Sequence, residues 1–177
     1  MDSKSEIIET NKSLDMLIAD SIELIQYARQ ITAKQVNLVQ LMTYYSLGKW
    51  IVEEQQEGKE RAKYGKQVLK KLSESLTKEF GRGFSETNLE YARKFYFTYA
   101  DRISQTVFEE FAVKKSQTVF EELDKEQPFL VSWSHYLQLM RIENADERKF
   151  YEIESAKSGW GIRTLQRQYN SSLYERL

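Results

Sequence analysis

The chain has 177 residues, of which 41% are hydrophobic and 13% aromatic, enough to build one sizeable hydrophobic core. It contains no cysteine and one histidine, which excludes a disulfide framework, a thiolate metal site and a site built mainly from histidines. The N-terminal stretch is charged throughout, and no run of about 18 apolar residues occurs. We therefore expect a cytoplasmic protein with no membrane partner, no cofactor and no metal.

The formal net charge is −1, but the charges are unevenly distributed along the chain. Residues 59–102 hold 11 lysines and arginines against 6 acids, a balance of +5, so the remainder of the chain carries −6. A basic segment of this kind is typical of a surface that faces phosphates, and equally of a solvated, lysine-rich helix. Charge alone leaves both interpretations open.

Proline and glycine are scarce, and few segments show the alternation of β-branched and polar residues that is typical of strands. The sequence therefore predicts an all-α protein, a helical bundle with helix-turn-helix-like hairpins. Over residues 13–31 the apolar side chains follow the i, i+3, i+4 spacing of an amphipathic helix, and the pattern continues to residue 57. One long bent helix and two helices placed end to end both fit this pattern. Gly58 is the C-cap signal that follows.

A first hairpin is predicted next. Residues 61–80 place apolar side chains on one face and lysines on the other, and Gly81 predicts the end of that helix, because glycine adopts positive φ without strain. Ser85 is a suitable N-cap for a second helix, whose inward face includes Tyr96 and Tyr99. The sequence thus predicts a helix, a short turn and a helix.

The heptapeptide SQTVFEE occurs at residues 104–110 and again, identically, at 116–122. Two copies are too few for a solenoid, so we interpret residues 101–128 as a variable, partly ordered linker. The threonine, valine and phenylalanine content leaves open a short β-hairpin formed by the two copies.

After Pro128 the pattern is helical again, over residues 132–142, 145–157 and from 161 toward 177. The SGWG turn, with Gly159 as the helix stop, forms a second hairpin. We therefore divide the chain into an N-terminal helical region (1–100), the repeat linker (101–128) and a C-terminal helical region (129–177), all within one folded unit.

The sequence carries no clear catalytic pattern. The Glu-x-Lys at residues 57–59 lies in a glycine turn without a strand signal, whereas a PD-(D/E)xK nuclease places its acid at the end of a strand. His135 has no second triad member at a suitable spacing, so a half-buried structural imidazole is the better interpretation. No phosphate-binding glycine loop occurs.

The two hairpins are the candidate nucleic-acid surface. The first one also exposes Glu86 and Glu90, which would repel phosphate and weaken the case that its second helix enters a groove. We therefore expect the first hairpin to hold the DNA backbone or shape, with backbone contacts from the basic helix before the turn. In the second, residues 155–174 contain no acid, and arginine, glutamine and asparagine at a helix start are the side chains that read base edges. The predicted DNA-contacting residues are Lys66, Lys70, Lys71, Lys78, Arg82, Arg93, Lys94, Lys157, Arg163, Gln166, Arg167 and Asn170.

Three blocks of the sequence are distinctive: VEEQQEGKERAKYGKQVLKKLSESLTKEFGRGFSETNLEYARKFY, the SQTV repeats, and WSHYLQLMRIENADERKFYEIESAKSGWGIRTLQRQYNSSLYERL. They closely resemble the N-terminal domain of the YhcG family, also called DUF1016, over nearly the whole chain from about residue 15. Family members usually continue into a C-terminal PD-(D/E)xK nuclease domain, and their N-terminal part is regarded as a helix-turn-helix-like DNA-binding module. Because the sequence ends at SSLYERL, where that domain would begin, the resemblance implies a chain that is not an enzyme by itself.

Resemblance and charge together predict a DNA-binding and targeting module that positions a nuclease domain, either in cis or in a partner protein. The alternative is a homodimerisation or protein-docking module with no nucleic-acid contact. Its predicted interface residues are Tyr44, Tyr45, Trp50 and Ile51. Both hypotheses can hold together, since helix-turn-helix proteins commonly bind DNA as dimers.

Overall fold

A computed structural model describes the backbone of residues 3–57, 62–116 and 118–176, and the side chains of residues 14–55, 64–116, 118–120 and 122–176. Within these ranges the chain is helical and contains no strand, which confirms the all-α class. The helices are α1 (Ser3–Glu57), α2 (Ala62–Phe80), α3 (Glu86–Tyr99), α4 (Gln105–Phe108), α5 (Val119–Glu126), α6 (Trp133–Leu139), α7 (Ala145–Lys157) and α8 (Ile162–Asn170). None of these described helices has the length and apolar character needed to cross a membrane.

The chain divides into two compact units, residues 1–37 and residues 38–177. Of the two arrangements predicted for the N-terminal region, the single helix is the one found, because α1 has no break between its ends. Gly58, the predicted C-cap, lies outside the described residues. The predicted boundaries near residues 100 and 128 stay a prediction.

Aromatic side chains form the centre of the second unit. Phe95 on α3 is fully buried, and its ring centroid lies 5.0 Å from that of Phe129, 5.3 Å from Trp133 and 5.2 Å from Tyr136. Tyr44 on α1 stacks on Trp133 with the centroids 4.2 Å apart. The pairs with Trp133 and Tyr136 have the edge-on and stacked arrangements that aromatic rings prefer, and they join α1, α3 and α6 in one core.

The core also requires a close approach between α1 and α3. A Cβ atom placed on Gly48 would lie 2.1 Å from the backbone oxygen of Ala92 and 2.9 Å from the Cβ of Tyr96. Only glycine therefore fits at this point of α1, even though glycine is a poor helix former.

The first hairpin has the predicted elements. Helix α2 packs through Leu69, which joins Ile51 of α1 and Leu89 of α3 in a small apolar cluster. Helix α2 ends at Phe80 and is followed by Gly81, which has a φ of +79°. The Oγ of Ser85 accepts a hydrogen bond from the backbone N–H of Asn88 at 3.3 Å. The turn and the N-cap are thus formed by the residues that the sequence indicated.

The described residues of the two SQTVFEE copies are mostly helical and form no strand, so the alternative of a β-hairpin is wrong. The first copy forms α4 and enters a π-helical turn, Glu109–Val113, and the second begins α5. The two copies bury equivalent side chains, Val107 and Val119, while Phe120 packs edge-on against Phe111 with the centroids 6.1 Å apart. Both copies therefore contribute buried side chains to the core.

Lys49 of α1 ties the first repeat copy to the core. Its Nζ donates a hydrogen bond to the Oε1 of Gln105 at 2.5 Å and lies 3.8 Å from the centroid of the Phe108 ring. The side chain is almost fully buried, so its charge is compensated by this amide and this ring, with the carboxylate of Glu53 at 3.8 Å. The repeat is thereby fixed in position by α1.

A buried ion pair links the end of α3 to α6 and α7. The guanidinium of Arg102 donates to both carboxylate oxygens of Glu152, at 2.6 and 2.7 Å, and to the carbonyl of Pro128 at 3.1 Å. The hydroxyl of Tyr136 donates to the same carboxylate at 2.5 Å and accepts the N–H of Leu130 at 3.0 Å. Each polar group has a partner, which is the condition under which a buried charge is tolerated.

Three buried tyrosines are held in their neutral form. Burial, assisted by the charges of Tyr96 and Asp101, raises the pKa of Tyr45 to about 12. Burial and the carboxylate of Glu152 raise the pKa of Tyr99 and of Tyr136 well above their ordinary value. The fold therefore favours the protonated phenol at all three positions.

We expect this preference to appear as alkaline unfolding. An unfolded tyrosine ionises near pH 10, so the contribution of the neutral phenols is fully present below about pH 10 and is lost as the pH rises toward the folded-state pKa values. Thermal unfolding midpoints measured from pH 8.5 to 12, together with tyrosinate absorbance, test this. A midpoint that stays level up to pH 11.5 would contradict it.

Candidate nucleic-acid interface

Helices α6, α7 and α8 form a three-helix unit in which each helix packs against the other two. Helix α7 is capped by Asn144, whose Oδ1 accepts the backbone N–H groups of Asp146 and Glu147 at 2.9 and 3.1 Å. The chain then reverses through the SGWG turn, where Gly159 has a φ of +60° and the N–H of Trp160 donates to the carbonyl of Ser155 at 3.0 Å. This turn fixes where α8 begins.

His135 holds the turn to α6. Its Nε2 lies 2.8 Å from the carbonyl oxygen of Trp160, and its Nδ1 lies 2.8 Å from the hydroxyl of Ser132. Because a carbonyl only accepts, Nε2 carries the hydrogen, and in the neutral ring Nδ1 accepts from Ser132. The half-buried, hydrogen-bonded imidazole expected from the sequence is confirmed, and its contacts assign it a positioning role for the start of α8.

The inner face of α8 attaches it to the other two helices. Leu165 is fully buried, and Tyr169 packs edge-on against Tyr151 of α7 with the ring centroids 5.6 Å apart. The hydroxyl of Tyr151 also donates to the carbonyl of Gln168 at 3.3 Å. These contacts fix the rotation of α8 and therefore decide which side chains point outward.

The outer face of α8 carries four of the predicted DNA-contacting residues together. Arg163, Gln166, Arg167 and Asn170 are all exposed. Their i, i+3, i+4 and i+7 spacing places them on one side of the helix, opposite Leu165. Two cations and two amides thus form a single polar face, which we name the α8 face. No acidic side chain occurs on this helix.

A small cavity of about 120 Å³ opens beside the α8 face. Gln166 and Asn170 line one side of it, and Gln138 and Arg141 at the end of α6 line the other. Arg141 is exposed and was not predicted, because the sequence does not show that the end of α6 lies beside α8. It adds a third arginine to this region.

The remaining predicted residues lie at separate places on the second unit. Lys157 is exposed in the last turn of α7, and Lys66, Lys70, Lys71 and Lys78 are exposed on α2. The exposed carboxylate of Glu74 lies on the same side of α2 as these lysines, which weakens the positive potential there. Arg82 in the turn and Lys94 on α3 are also exposed.

Arg93 is less available than the other predicted residues. It is half-buried, and its Nη1 donates to the Oε1 of Gln55 on α1 at 3.1 Å. A DNA contact would require this hydrogen bond to be exchanged, so we give Arg93 the lowest weight among the predicted residues.

The interface residues predicted for the alternative hypothesis require a correction. Tyr44, Tyr45 and Ile51 are buried within the second unit, where the hydroxyl of Tyr45 donates to the carbonyl of Ala100 at 3.0 Å. Only Trp50 of that set is substantially exposed, at 44%. The helical spacing that suggested an interface reflects packing against α3 and α6, so these aromatic residues do not form a free docking surface.

Comparison with known proteins identifies the family. A sequence profile described as the DUF1016 N-terminal domain matches residues 20–176. The chain belongs to the DUF1016 N-terminal domain family. A relative named "Putative nuclease YhcG", of Escherichia coli (strain K12), is 37% identical in an alignment of 169 positions, and the match covers 88% of this chain and 44% of the relative. No solved structure matches.

This DUF1016 domain therefore spans less than half the length of the curated relative that it matches. The word nuclease in that name describes the whole relative, so it does not by itself assign an activity to the matching part. What the comparison establishes is a nuclease-associated family, to which both hairpins belong because they lie within the matched residues.

Proposed function

We propose that this domain binds DNA and targets a nuclease, without itself being catalytic. The observation that carries the proposal is the α8 face: Arg163, Gln166, Arg167 and Asn170 are exposed side by side on one acid-free helix of a three-helix unit. A third helix held by two others, with cations and amides on its free side, has the layout of a recognition helix. Arginine and the amides supply the hydrogen bonds that distinguish base edges in a major groove.

The start of α8 adds to the attraction for phosphate. The backbone N–H groups of its first turn are not all used within the helix, and the helix dipole is positive at this end. The side chain of Arg163 lies in this first turn, so charge and backbone donors coincide there. We assign the lysines of α2 to contacts with the sugar-phosphate backbone of the DNA, because Glu74 lies among them and makes that surface poorly suited to reading bases.

The nuclease link is the broader part of the proposal. The relative's name and the 44% coverage support a domain that works together with a catalytic domain, which lies in cis or in a partner protein. In this arrangement the DNA-binding domain determines where cleavage occurs, and the catalytic domain supplies the metal and the acids.

Fluorescence polarisation with a labelled duplex, measured over a series of salt concentrations, tests DNA binding. The wild type should bind with an affinity that falls steeply as salt rises, because phosphate contacts release counterions. Arg163→Gln with Arg167→Gln should weaken binding about 30- to 1,000-fold, at roughly 1–2 kcal/mol for each arginine. Lys70→Gln with Lys71→Gln should weaken all duplexes alike and reduce the salt slope by about 2.

The matched control is Lys115→Gln with Lys125→Gln, which removes the same charge from exposed positions near the repeat. This variant should bind like the wild type, apart from a small general effect of net charge. Undetectable binding of the wild type at low salt would refute the proposal. If the α8 variant and the control variant lose the same amount of DNA affinity, binding is a nonspecific charge attraction, and the α8 face does not have the role assigned to it.

A further inference from the structure

The segment of α1 in the first unit exposes far more apolar surface than a solvated helix requires. Eight large aliphatic side chains on one side of this segment are between 39% and 66% exposed. They are Leu14, Leu17, Ile18, Ile22, Leu24, Ile25, Ile31 and Val36. The opposite side carries Glu23, Gln26, Gln30 and Lys34, together with the exposed Met16 and Tyr27. The aliphatic side chains are thus concentrated on one side of the helix, which is open to solvent.

The area of this face matches what a stable association needs. Eight side chains about half exposed present roughly 700 Å² of apolar surface, close to the 800 Å² or so that each partner contributes to a standard interface. Single proteins rarely leave an apolar patch of that size uncovered unless it is a binding surface.

We propose that residues 14–36 pair with the same residues of a second copy of the chain, as an antiparallel coiled coil. A heptad register runs through the face: Ile18, Ile25 and Thr32 occupy a positions, and Leu14, Ser21 and Ala28 occupy d positions. In an antiparallel pair an a residue of one helix faces a d residue of the other. In one alignment of the two helices, each layer of the core then pairs a larger side chain with a smaller one. The pairs are Ile18 with Ala28, Ile25 with Ser21, and Leu14 with Thr32.

The two edges of the face fit the same register. On one edge Leu24 lies beside Leu24 of the second copy, and Leu17 lies beside Ile31. On the other edge Ile22 lies beside Ile22, and Asp15 lies beside Arg29. Each of these pairs is offset by only about 3 Å along the axis, at 1.5 Å per residue. The only charges on this edge are thus paired with opposite charges, twice per dimer.

A parallel pair does not have these features. It would set Ser21 against Ser21 and Ala28 against Ala28, leaving gaps between layers of isoleucine, and it would place Arg29 beside Leu24. The antiparallel arrangement satisfies both the size pattern and the charge pattern, and it is two-fold symmetric, as expected of a homodimer. The proposal does not depend on DNA binding.

Light scattering on the full chain tests the association. The monomer mass is 21.0 kDa, and we expect twice this mass at micromolar concentration. Ile18→Asp with Ile25→Asp should give the monomer, because it puts four carboxylates into the core of the pair. Met16→Asp with Gln30→Asp adds the same charge on the outer side of the helix and should remain a dimer. A monomeric wild type at about 100 μM would overturn the proposal.

The absence of native cysteine allows the register to be tested by single cysteines. Under mild oxidation Ile22→Cys and Leu24→Cys should form disulfide-linked dimers. Leu14→Cys should not, because the two copies of this residue are roughly 27 Å apart along an antiparallel pair. Crosslinking of Leu14→Cys but not of Ile22→Cys would overturn the antiparallel register. Asp15→Arg and Arg29→Asp should each weaken the dimer several-fold, and the double reversal should restore it.

Discussion

Replacing Glu152 by glutamine should lower the free energy of unfolding by about 3 kcal/mol. The carboxylate of Glu152 is the acceptor for two guanidinium N–H groups of Arg102 and for the hydroxyl of Tyr136. Glutamine preserves the shape of the side chain but removes the negative charge, and its amide nitrogen can only donate. The variant therefore leaves a largely buried guanidinium without its counter-ion and sets donors against each other. Urea or thermal unfolding followed by circular dichroism measures the loss.

Two variants separate the charge effect from simple loss of packing. Glu152→Leu with Arg102→Met removes both charges and should recover most of the lost stability, because well-packed apolar side chains replace a buried ion pair at little cost. Glu110→Gln removes an acid from the solvent-facing pair with Lys114, which has the same 2.6 Å N to O distance, and should cause no measurable change. A Glu152→Gln variant as stable as the wild type would show that the ion pair does not contribute.

The ion pair also bears on the proposed interface. Arg102 lies just after α3, Tyr136 on α6 and Glu152 on α7, so this network connects the aromatic core to the three-helix unit that carries α8. If these hydrogen bonds are lost, the packing of α6 and α7 around Leu165 of α8 should become looser. We therefore expect Glu152→Gln to weaken DNA binding only at temperatures where its unfolding has begun.

Sequence periodicity was sufficient for the helices outside the repeat and for the polar side of α8. Helix α8 was predictable because SGWG marks its start and because Leu165 and Tyr169 follow helical spacing, which leaves Arg163 and Arg167 on the opposite side. The N-cap of α3 followed from Ser85 for the same local reason. In these two helices, signals within a few residues of each other were interpreted correctly.

Contacts between distant parts of the chain were not predictable. Arg141 lies beside Gln166 and Asn170 only because α6 and α8 pack together, and the periodicity of a single helix does not contain that information. Arg102 and Glu152 are separated by 50 residues, so their pairing was equally hidden. Helical spacing likewise cannot tell whether an apolar face packs inside the chain, as at Tyr45, or remains exposed, as at Ile25.

The repeat shows how composition can mislead. Threonine, valine and phenylalanine favour strands, which left a β-hairpin open for SQTVFEE. In the fold Ser104 caps α4, with its Oγ accepting the N–H of Val107 at 3.2 Å, and Val107 is buried. Tertiary packing and an N-cap thus prevail over a weak strand propensity, because the short helix α4 buries Val107 and Phe108 in the core.

Replacing Gly48 by alanine should lower the free energy of unfolding by about 3 kcal/mol, even though alanine is the better helix former. The added Cβ would meet the backbone oxygen of Ala92 at 2.1 Å and its carbonyl carbon at 2.7 Å. A backbone oxygen inside a helix cannot rotate away, so α1 and α3 would have to separate. That separation would loosen the packing of Phe95 and of Tyr44 against Trp133 in the aromatic core.

The control for this prediction is Gly65→Ala, a second glycine inside a helix. Its Cβ would meet only the amide end of Gln55, at 3.1 Å, which a rotamer change can move, so we expect stability to be unchanged or increased by up to about 1 kcal/mol. Ala92→Gly should not rescue Gly48→Ala, because the clash is with the backbone of residue 92 and not with its methyl group. A double variant that regains wild-type stability, or a Gly48→Ala variant that loses none, would mean that the two helices do not approach as closely as this contact requires.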